Sequence, residues 1–456
     1  MVIEETRNTV LADKAEQFLE AQEGFVPPVL PLNEFKLPYI LEGFNYPVSS
    51  WPILLAPELT NNLAAISTSL SRLLQKVPNL YFKDDIEEIA DFYFNGDQDR
   101  AQFAMLCLEK DLEVSNRCDL IYTDEGFKVM EVNMGSSIGG MEVQNFAEYI
   151  KKMHPLLNKS NTADKYMCRP TQSIYIEFIL QQIFKLFGED LLEVNIYLVS
   201  ETLPEEIKRA SKFYNHLLEE VLHATGKKSN VFLGSIAELR FTGDALTYDN
   251  DNVHAVLIFD FSLVNITPDL FRAFIMDKVY FPDNLATMFL KDKRNLALLK
   301  ALAIDGKLEE NDRRLVLTNI PWTVIVEEKQ VDYEGKKHDL QLLLFNRKDE
   351  FVIKVADGLQ GKDVHVGKFI DQDSWQKLLV KAFASKKYIA QQYCKSESLK
   401  APNSDNLWVP HTLVWGAFGF GNTYGGAWVR MSEESKGSGV INSATGATEG
   451  VVFECI

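Results

Sequence analysis

A tight β-hairpin is the strongest local constraint in this sequence. Apolar and β-branched residues at positions 120–122 lead into Asp124-Glu125-Gly126, a turn signal, and a second apolar run follows at 127–132. In antiparallel strands joined by so short a turn, Asp119 near the start of the first strand lies beside Glu131 near the end of the second. The hairpin therefore predicts two carboxylates at one place.

Further polar residues fall on the same hairpin. Side chains alternate between the two faces of a strand, so Glu131 and Asn133, which are two residues apart, lie on the same face of the second strand. For the same reason, Arg117 and Asp119 lie on the same face of the first strand. Two carboxylates and an amide oxygen that converge suit a hard cation that keeps several waters and bridges phosphate oxygens. Arg117 is suited to hold a phosphate or a developing oxyanion through two hydrogen bonds. The pattern predicts a magnesium–nucleotide site with Asp119, Glu131 and Asn133 as metal ligands.

A surface hairpin with solvated acidic residues is the alternative interpretation of this segment. The Arg-x-Asp pair and the Gly/Ser loop at 134–140 favour the site over that alternative.

Composition narrows the class of protein. At 456 residues and 46% hydrophobic, the chain is long enough for two or three domains. A net charge of -18 argues against a nucleic-acid partner, because phosphate backbones demand clustered Lys and Arg. We find no signal segment and no apolar run of spanning length, so we expect a cytoplasmic protein with no membrane partner. The five cysteines and seven histidines show no metal-ligand spacing, and the sequence leaves a homodimer open.

Changes in sequence texture divide the chain into three parts. Residues 1–165 hold a Pro-rich wrapping segment, helices and the hairpin. Residues 166–285 alternate helices with strands, which predicts a small parallel α/β domain. Residues 286–456 hold most of the Lys and Gly signals for nucleotide binding.

The third part contains a candidate phosphate clamp. A short apolar strand ends in Lys354, and Gly358 and Gly361 follow, where backbone N–H groups are able to curl over phosphate oxygens. Lys293 stands at the head of an amphipathic helix. A Gly-containing hairpin with a chance lysine is an equally good interpretation of the strand taken alone.

Two later segments are candidates for ligand contacts. The strand at 388–394 ends in Gln391, Gln392 and Tyr393, which are able to offer backbone groups to an adenine edge. The strand at 425–430 carries Arg430 near its end, and the loop after it contains Asn442 and Ser443, which are either ligand contacts or turn formers.

Taken together, these pieces resemble the ATP-grasp superfamily, in which the lysines and Gly-rich lid usually precede the R-x-D and E-x-N motifs. Here the acidic module comes first, so the chain resembles a circularly permuted member. The segment EVNMGSSIGG is similar to the signature of eukaryotic-type glutathione synthetases and of glutathionylspermidine synthase-like carboxylate–amine ligases. The specific motifs lie at about 117–140 and 350–450.

The resemblance implies a fold, a set of cofactors and a set of roles. The implied fold is an α+β or α/β circularly permuted ATP-grasp with an inserted small parallel, Rossmann-like substrate domain. The implied cofactors are ATP and Mg²⁺, with two ions. The residue roles that it implies are metal ligands Asp119, Glu131 and Asn133; ATP contacts Lys293, Lys354, Gly358, Gly361, Gln391, Gln392 and Tyr393; catalytic arginines Arg117 and Arg430; and substrate contacts Ser136, Ser137, Asn442 and Ser443.

The implied activity is an ATP-dependent ligase that joins a small-molecule carboxylate to an amine through an acyl phosphate. The amine side is an amino acid, a peptide or a polyamine. Two alternatives stay open: an ATP-dependent phosphotransferase on the same scaffold, and a non-catalytic module that senses ATP.

Overall fold

A computed structural model describes residues 17–22, 24–158, 165–259, 265–356, 358, 363–436 and 439–456. The fold is mixed α/β, with several sheets. Gly361, one of the predicted ATP contacts, lies outside the described residues. So does Asp357, which the resemblance leaves undecided as a further metal ligand.

Twenty strands are described, and they are numbered in chain order. They are β1 (Ile53–Leu55), β2 (Ser115–Thr123), β3 (Gly126–Met134), β4 (Tyr166–Met167), β5 (Glu193–Val199), β6 (Lys228–Gly234), β7 (Arg240–Phe241), β8 (Leu246–Tyr248), β9 (Asp251–Asn252), β10 (Ala255–Ile258), β11 (Thr323–Ile325), β12 (Gln330–Tyr333), β13 (Lys336–Asp339), β14 (Phe351–Val355), β15 (Val364–Val366), β16 (Tyr388–Gln392), β17 (Leu399–Pro402), β18 (Trp408–Phe420), β19 (Thr423–Glu433) and β20 (Thr448–Cys455).

The α-helices with both ends in the described ranges are numbered in the same way. They are α1 (Pro57–Gln75), α2 (Val77–Phe82), α3 (Ile86–Tyr93), α4 (Gln98–Leu108), α5 (Ala147–Met153), α6 (Pro155–Asn158), α7 (Thr171–Phe187), α8 (Glu205–Leu222), α9 (Pro268–Ile275), α10 (Leu285–Leu290), α11 (Arg294–Ile304), α12 (Glu310–Asn319), α13 (Leu340–Asn346) and α14 (Gln372–Ser385).

The largest sheet joins the first and last parts of the chain. Its strand order is β1-β20-β19-β18-β2-β3. In addition, β17 pairs with β18, and β4 pairs with β20. The predicted hairpin is β2–β3, and strands from the C-terminal part complete the sheet beside it. Helix α1 packs on this sheet through a buried stripe that includes Leu63, Ile66 and Leu70, the helical spacing of an amphipathic segment.

A second sheet is parallel and has the order β10-β5-β6. Its strands alternate with α7 and α8, as the sequence texture predicts for this part of the chain. Such a pattern arises because parallel neighbours need a crossover helix between them.

A third sheet is antiparallel and has the order β11-β16-β14-β15. It carries the predicted strands that end in Lys354 and Gln391. Helices α13 and α14 contribute Leu343, Leu344 and Trp375 to the hydrophobic cluster beneath it. Among the described residues, no helix combines the length and the apolarity needed to cross a membrane.

Candidate nucleotide and ligase site

The hairpin β2–β3 places its charged residues directly opposite one another. Asp119 pairs with Glu131, and Arg117 pairs with Asn133, in the antiparallel register. Opposed side chains of neighbouring strands lie about 5 Å apart at their Cβ atoms. The predicted proximity of Asp119 and Glu131 is confirmed.

Asp119 is saturated by two guanidinium groups. Arg117 donates from Nε to Asp119 Oδ1 at 2.6 Å and from Nη2 to Oδ2 at 3.0 Å. Arg430 donates from Nη2 to Asp119 Oδ2 at 2.9 Å. Burial alone would raise the pKa of Asp119, but the two guanidinium groups outweigh it and hold this pKa below its usual value. The carboxylate therefore anchors both arginines.

Arg117 also reaches the loop that follows the hairpin. It donates from Nη1 to the carbonyl of Ile138 and, at 3.2 Å, to that of Gly139. The Asn133 amide, oriented to satisfy both neighbours, accepts from Arg117 Nη2 and donates to Glu131 Oε1, each at 3.2 Å. Arg117 thus ties the loop to the hairpin.

The indole ring of Trp428 packs against both arginines. The Trp428 ring centroid lies 5.1 Å from the Arg430 guanidinium carbon and 5.8 Å from that of Arg117, within cation–π range. A Cβ atom at Gly416 would lie 2.2 Å from the indole nitrogen, and one at Gly140 would lie 2.3 Å from a ring carbon. Both positions need glycine because the indole lies against their backbone.

The two predicted lysines reach the hairpin from the third part of the chain. Lys293 Nζ lies 3.7 Å from Glu131 Oε1 and donates to the carbonyl of Gly358 at 2.5 Å. Lys354 Nζ donates to Gln391 Oε1 at 2.6 Å and to the Met130 carbonyl at 3.1 Å. Burial lowers the pKa of Lys354 to about 8, although nearby Glu131 raises it.

An irregularity in β3 makes the Lys354 contact possible. The register shifts between Asp119 and Leu120, whose partners are Glu131 and Val129, so Met130 is an extra residue without a partner in β2. A β-bulge of this kind leaves a backbone group unpaired and is common beside active sites. Sequence reasoning missed Met130, because nothing in its residue type marks a bulge.

The strand end predicted to contact adenine has several of its polar groups bound within the protein. The side chain of Gln391 accepts from Lys354 and donates to Thr323 Oγ1 at 3.2 Å, so it supports the lysine. The backbone N–H groups of Gln392 and Tyr393 donate to the carbonyls of Trp322 and Glu350, at 2.8 and 2.7 Å. These two backbone donors are therefore engaged, and contacts to ATP from other groups of Gln391, Gln392 and Tyr393 stay a prediction.

A cleft of about 420 Å³ borders the end of β16. Gln392 and Tyr393 line it, and Trp322, Lys128 and Lys300 face them from neighbouring elements. An indole and a phenol ring beside lysines suit a flat, polar group such as a nucleoside base.

The predicted substrate contacts separate into buried and exposed groups. Ser136 is buried and its N–H donates to Asp283 Oδ1 at 2.8 Å, and its contact with a substrate stays a prediction. Ser137 is exposed, with its hydroxyl 3.2 Å from the Phe259 carbonyl. Asn442 accepts from the N–H of Ala444 at 3.0 Å and so acts as a turn former there.

Ser443 contacts a residue that sequence reasoning missed. Its hydroxyl donates to Oε1 of Glu449, a carboxylate of β20 that is 2% exposed. Glu449 pairs in register with Arg430 of β19, so both side chains lie on the face that carries Asp119. The E-G-V-V-F pattern at 449–453 reads as a plain buried strand, and only the strand order shows that its first residue faces the site.

Metal binding has a partial donor set. Within the described ranges, no three His, Cys, Asp or Glu side chains cluster as a metal site. Glu131, whose side chain is 26% exposed, offers a carboxylate oxygen, whereas the Asn133 oxygen accepts from Arg117 and its amide nitrogen faces Glu131. The Glu131 carboxylate fits a magnesium ion whose remaining ligands are phosphate oxygens and water, and Asn133 as a further ligand stays a prediction. Both oxygens of Asp119 are engaged by arginines, so its role as a third ligand stays a prediction.

Comparisons with known proteins bear on the fold. No protein-family model matches the sequence, and no curated protein matches it. A glutathione synthetase-like effector from Globodera pallida, in its apo form, superposes with a TM-score of 0.59 at 14% identity, covering 89% of this chain and 90% of that chain. This likeness shows that the chain has a glutathione synthetase-like fold, and at such identity it shows the fold alone.

A second solved structure is more distant. A protein from Methylobacillus flagellatus, assigned as a gamma-glutamylcysteine synthetase, gives a TM-score of 0.41 at 13% identity, with 85% of this chain and 87% of that chain covered. That score is too low to bear on the fold or the function of this chain.

Proposed function

We propose that this chain is an ATP-dependent carboxylate–amine ligase built as a permuted ATP-grasp. One observation carries the proposal: Lys293 and Lys354, from the third part of the chain, meet Glu131 and Met130 of the hairpin within 4 Å. Each region alone is chemically incomplete, since one offers metal ligands and the other offers cations for phosphate.

The lysines are suited to hold the β- and γ-phosphates of ATP. Both are buried, and Lys354 has neutral oxygens as its direct partners, so a phosphate would supply the missing negative charge. Glu131 and Asn133 would hold Mg²⁺, which neutralises charge on the transferred phosphoryl group. The cleft beside Trp322 and Tyr393 would take the base.

The reaction has two steps. A carboxylate oxygen of the first substrate attacks the γ-phosphorus, and ADP leaves, which gives an acyl phosphate. The amine nitrogen then attacks the acyl carbon, phosphate leaves, and the nitrogen loses a proton to give the amide. Arg430, held by Asp119, would donate a hydrogen bond to the oxyanion that develops on the acyl group. Arg117, whose N–H groups are engaged by Asp119, Asn133 and the loop carbonyls, would stabilise this oxyanion through its charge.

Replacement of Glu131 tests this proposal. We expect Glu131→Gln to lose the magnesium-dependent part of AMP-PNP binding and any ADP release, because the amide lacks the charge that holds the metal. Glu148→Gln removes an exposed carboxylate of α5 that pairs with Lys151, so it is the control and should behave as the parent chain. Isothermal titration of AMP-PNP with and without Mg²⁺ measures the effect.

The same titration can also contradict the assignment of Glu131 as a metal ligand. Equal magnesium dependence in the Glu131 variant and the parent would reject the metal assignment. For activity, ADP release that needs both an acid and an amine supports the ligase. Release with an acid alone indicates a phosphotransferase, and binding without release indicates an ATP sensor.

A further inference from the structure

Helix α10 runs beside the end of the hairpin and leads the chain into the candidate site. The helix contacts β3, and a Cβ atom at Gly135, just after β3, would lie 3.7 Å from the methyl carbon of Thr287 in the helix. Lys293, three residues after the helix ends, has its Nζ 3.7 Å from Glu131 Oε1 of the same strand. The segment 287–293 therefore follows β3 from its end back to the predicted metal ligand.

Lys291 lies within this segment, between its two contacts with β3. It is the C-cap residue of α10, four residues after Thr287, so both residues lie on the face of the helix that meets the 134–140 loop. The Lys291 side chain is half-buried. Asp283, whose carboxylate accepts from the N–H of Ser136 in that loop, raises the pKa of Lys291. The ammonium group is therefore on the loop side of the site.

Lys291 and Lys293 are held close enough to repel each other. Burial lowers the pKa of Lys291 and the charge of Lys293 lowers it further, whereas Asp283 acts in the opposite direction. Asp283 is also engaged elsewhere, because its two oxygens accept from the N–H groups of Ser136 and Ile258, at 2.8 Å each. An anion that contacts both ammonium groups would remove their repulsion, so this place favours a ligand with several negative charges.

Three lysines follow the direction of β3. Lys354 donates to the Met130 carbonyl at 3.1 Å, and Lys293 lies beside the next residue, Glu131. Lys291 lies nearer the end of the strand, where α10 meets the 134–140 loop. Lys293 acts electrostatically on both of the other lysines, as expected for the middle position.

Lys354 is the lysine nearest the cleft proposed for the base. It donates to Gln391 of β16, and the next residue, Gln392, lines that cleft. ATP with its base in the cleft would therefore meet Lys354 first and Lys291 last. The last phosphate of ATP is the γ-phosphate, which ADP lacks.

We propose that Lys291 binds the γ-phosphate and so distinguishes ATP from ADP. Lys354, nearest the base, meets a phosphate that both nucleotides carry, whereas Lys291 meets only the group that is transferred. This inference rests on the proposed function, to which it adds a residue that selects the nucleotide.

Isothermal titration of AMP-PNP and of ADP, each with Mg²⁺, into the full chain tests the inference. We expect Lys291→Met to lower AMP-PNP affinity by about tenfold or more, because a charge-assisted contact is lost, and to change ADP affinity by less than about threefold. Lys291→Arg should keep most of the AMP-PNP affinity, since the charge remains. Lys354→Met should lower the affinity for both nucleotides.

An exposed lysine outside the site provides the control. Lys307 lies beyond the other end of α11, so Lys307→Met should bind both nucleotides as the parent chain does. Thermal unfolding establishes that Lys291→Met is folded. Should it not fold, Lys291→Gln, which keeps a polar side chain, is titrated in its place with the same expectation.

Failure of the inference and failure of the proposed function look different. Equal losses of AMP-PNP and ADP affinity in Lys291→Met would show that Lys291 does not act on the γ-phosphate alone. Unchanged AMP-PNP affinity would show that Lys291 does not contact the nucleotide. Either result overturns the inference and leaves the ligase standing, whereas a parent chain that binds neither nucleotide would reject the ligase and the inference together.

Discussion

The two sheets that meet at the candidate site hold their charged groups in opposite ways. In the large sheet, Asp119 accepts from Arg117 and Arg430, so each charge has a partner of opposite sign. In the four-stranded sheet, buried Lys354 has an amide oxygen and a carbonyl as its direct partners. The comparison teaches that folding alone gives Asp119 and its arginines partners of opposite charge. Folding gives Lys354 only neutral hydrogen-bond acceptors, so this lysine lacks a directly bonded negative partner.

Asp119→Ala should have the largest effect on stability, because it removes the carboxylate that binds both Arg117 and Arg430. Two buried guanidinium groups would lose their shared carboxylate, and we expect the free energy of unfolding to fall by about 3–5 kcal/mol. Urea denaturation measures it. Glu148→Ala removes the partner of Lys151 in an exposed pair and should cost under about 1 kcal/mol. Similar losses in both variants would show that the buried cluster is no stronger than a surface pair.

Lys354→Met should separate binding from stability. A triphosphate loses a charge-assisted contact worth roughly 1.5–3 kcal/mol, so AMP-PNP affinity should fall by about one to two orders of magnitude. Stability should stay within about 1 kcal/mol of the parent or rise, because a desolvated cation is removed while Gln391 loses a partner. Lys336→Met, on an exposed hairpin of the same region, should change neither. A loss of stability with unchanged affinity would make Lys354 a structural residue.

The pH dependence should show the smallest effect. Burial lowers the pKa of Lys354 to about 8 from the ordinary 10.5. In the folded chain without nucleotide, Lys354 is therefore mostly charged below pH 8 and mostly neutral above pH 8. AMP-PNP affinity should therefore weaken as pH rises from 7 to 9, by at most about tenfold per unit above pH 8.

The same shift fixes the sign of the stability change. Between pH 8 and 10.5 the unfolded chain binds more protons at this lysine, so its contribution to stability rises with pH. Isothermal titrations of AMP-PNP at pH 7, 8 and 9 should show an affinity that falls with pH in the parent chain and falls less in Lys354→Met. Identical slopes in the two chains would rule out Lys354 as the titrating group.

Local parts of the site are predictable from the sequence. A short turn fixes the register of the strands beside it, so the opposition of Asp119 and Glu131 follows from residues 117–133 alone. The alternation of helices and strands at 171–258 likewise predicts a parallel sheet.

Non-local parts are not predictable in this way. The Asp119–Arg430 pair joins residues 311 apart in the chain, and Glu449 faces the site only because β20 lies beside β19. Strand order decides these contacts, and no residue spacing encodes it. The backbone donors of Gln392 and Tyr393 looked available because their acceptors, at Trp322 and Glu350, lie on other segments.

The strand order of the large sheet also bears on how the chain is made. During synthesis, β2 emerges with one edge unpaired, and its partner β18 begins at Trp408, nearly three hundred residues later. An unpaired strand edge is a template for aggregation, and such long-range pairing is slow. Nascent chains of this protein should therefore depend on chaperones until the last strands leave the ribosome, and a chain cut before Trp408 should aggregate.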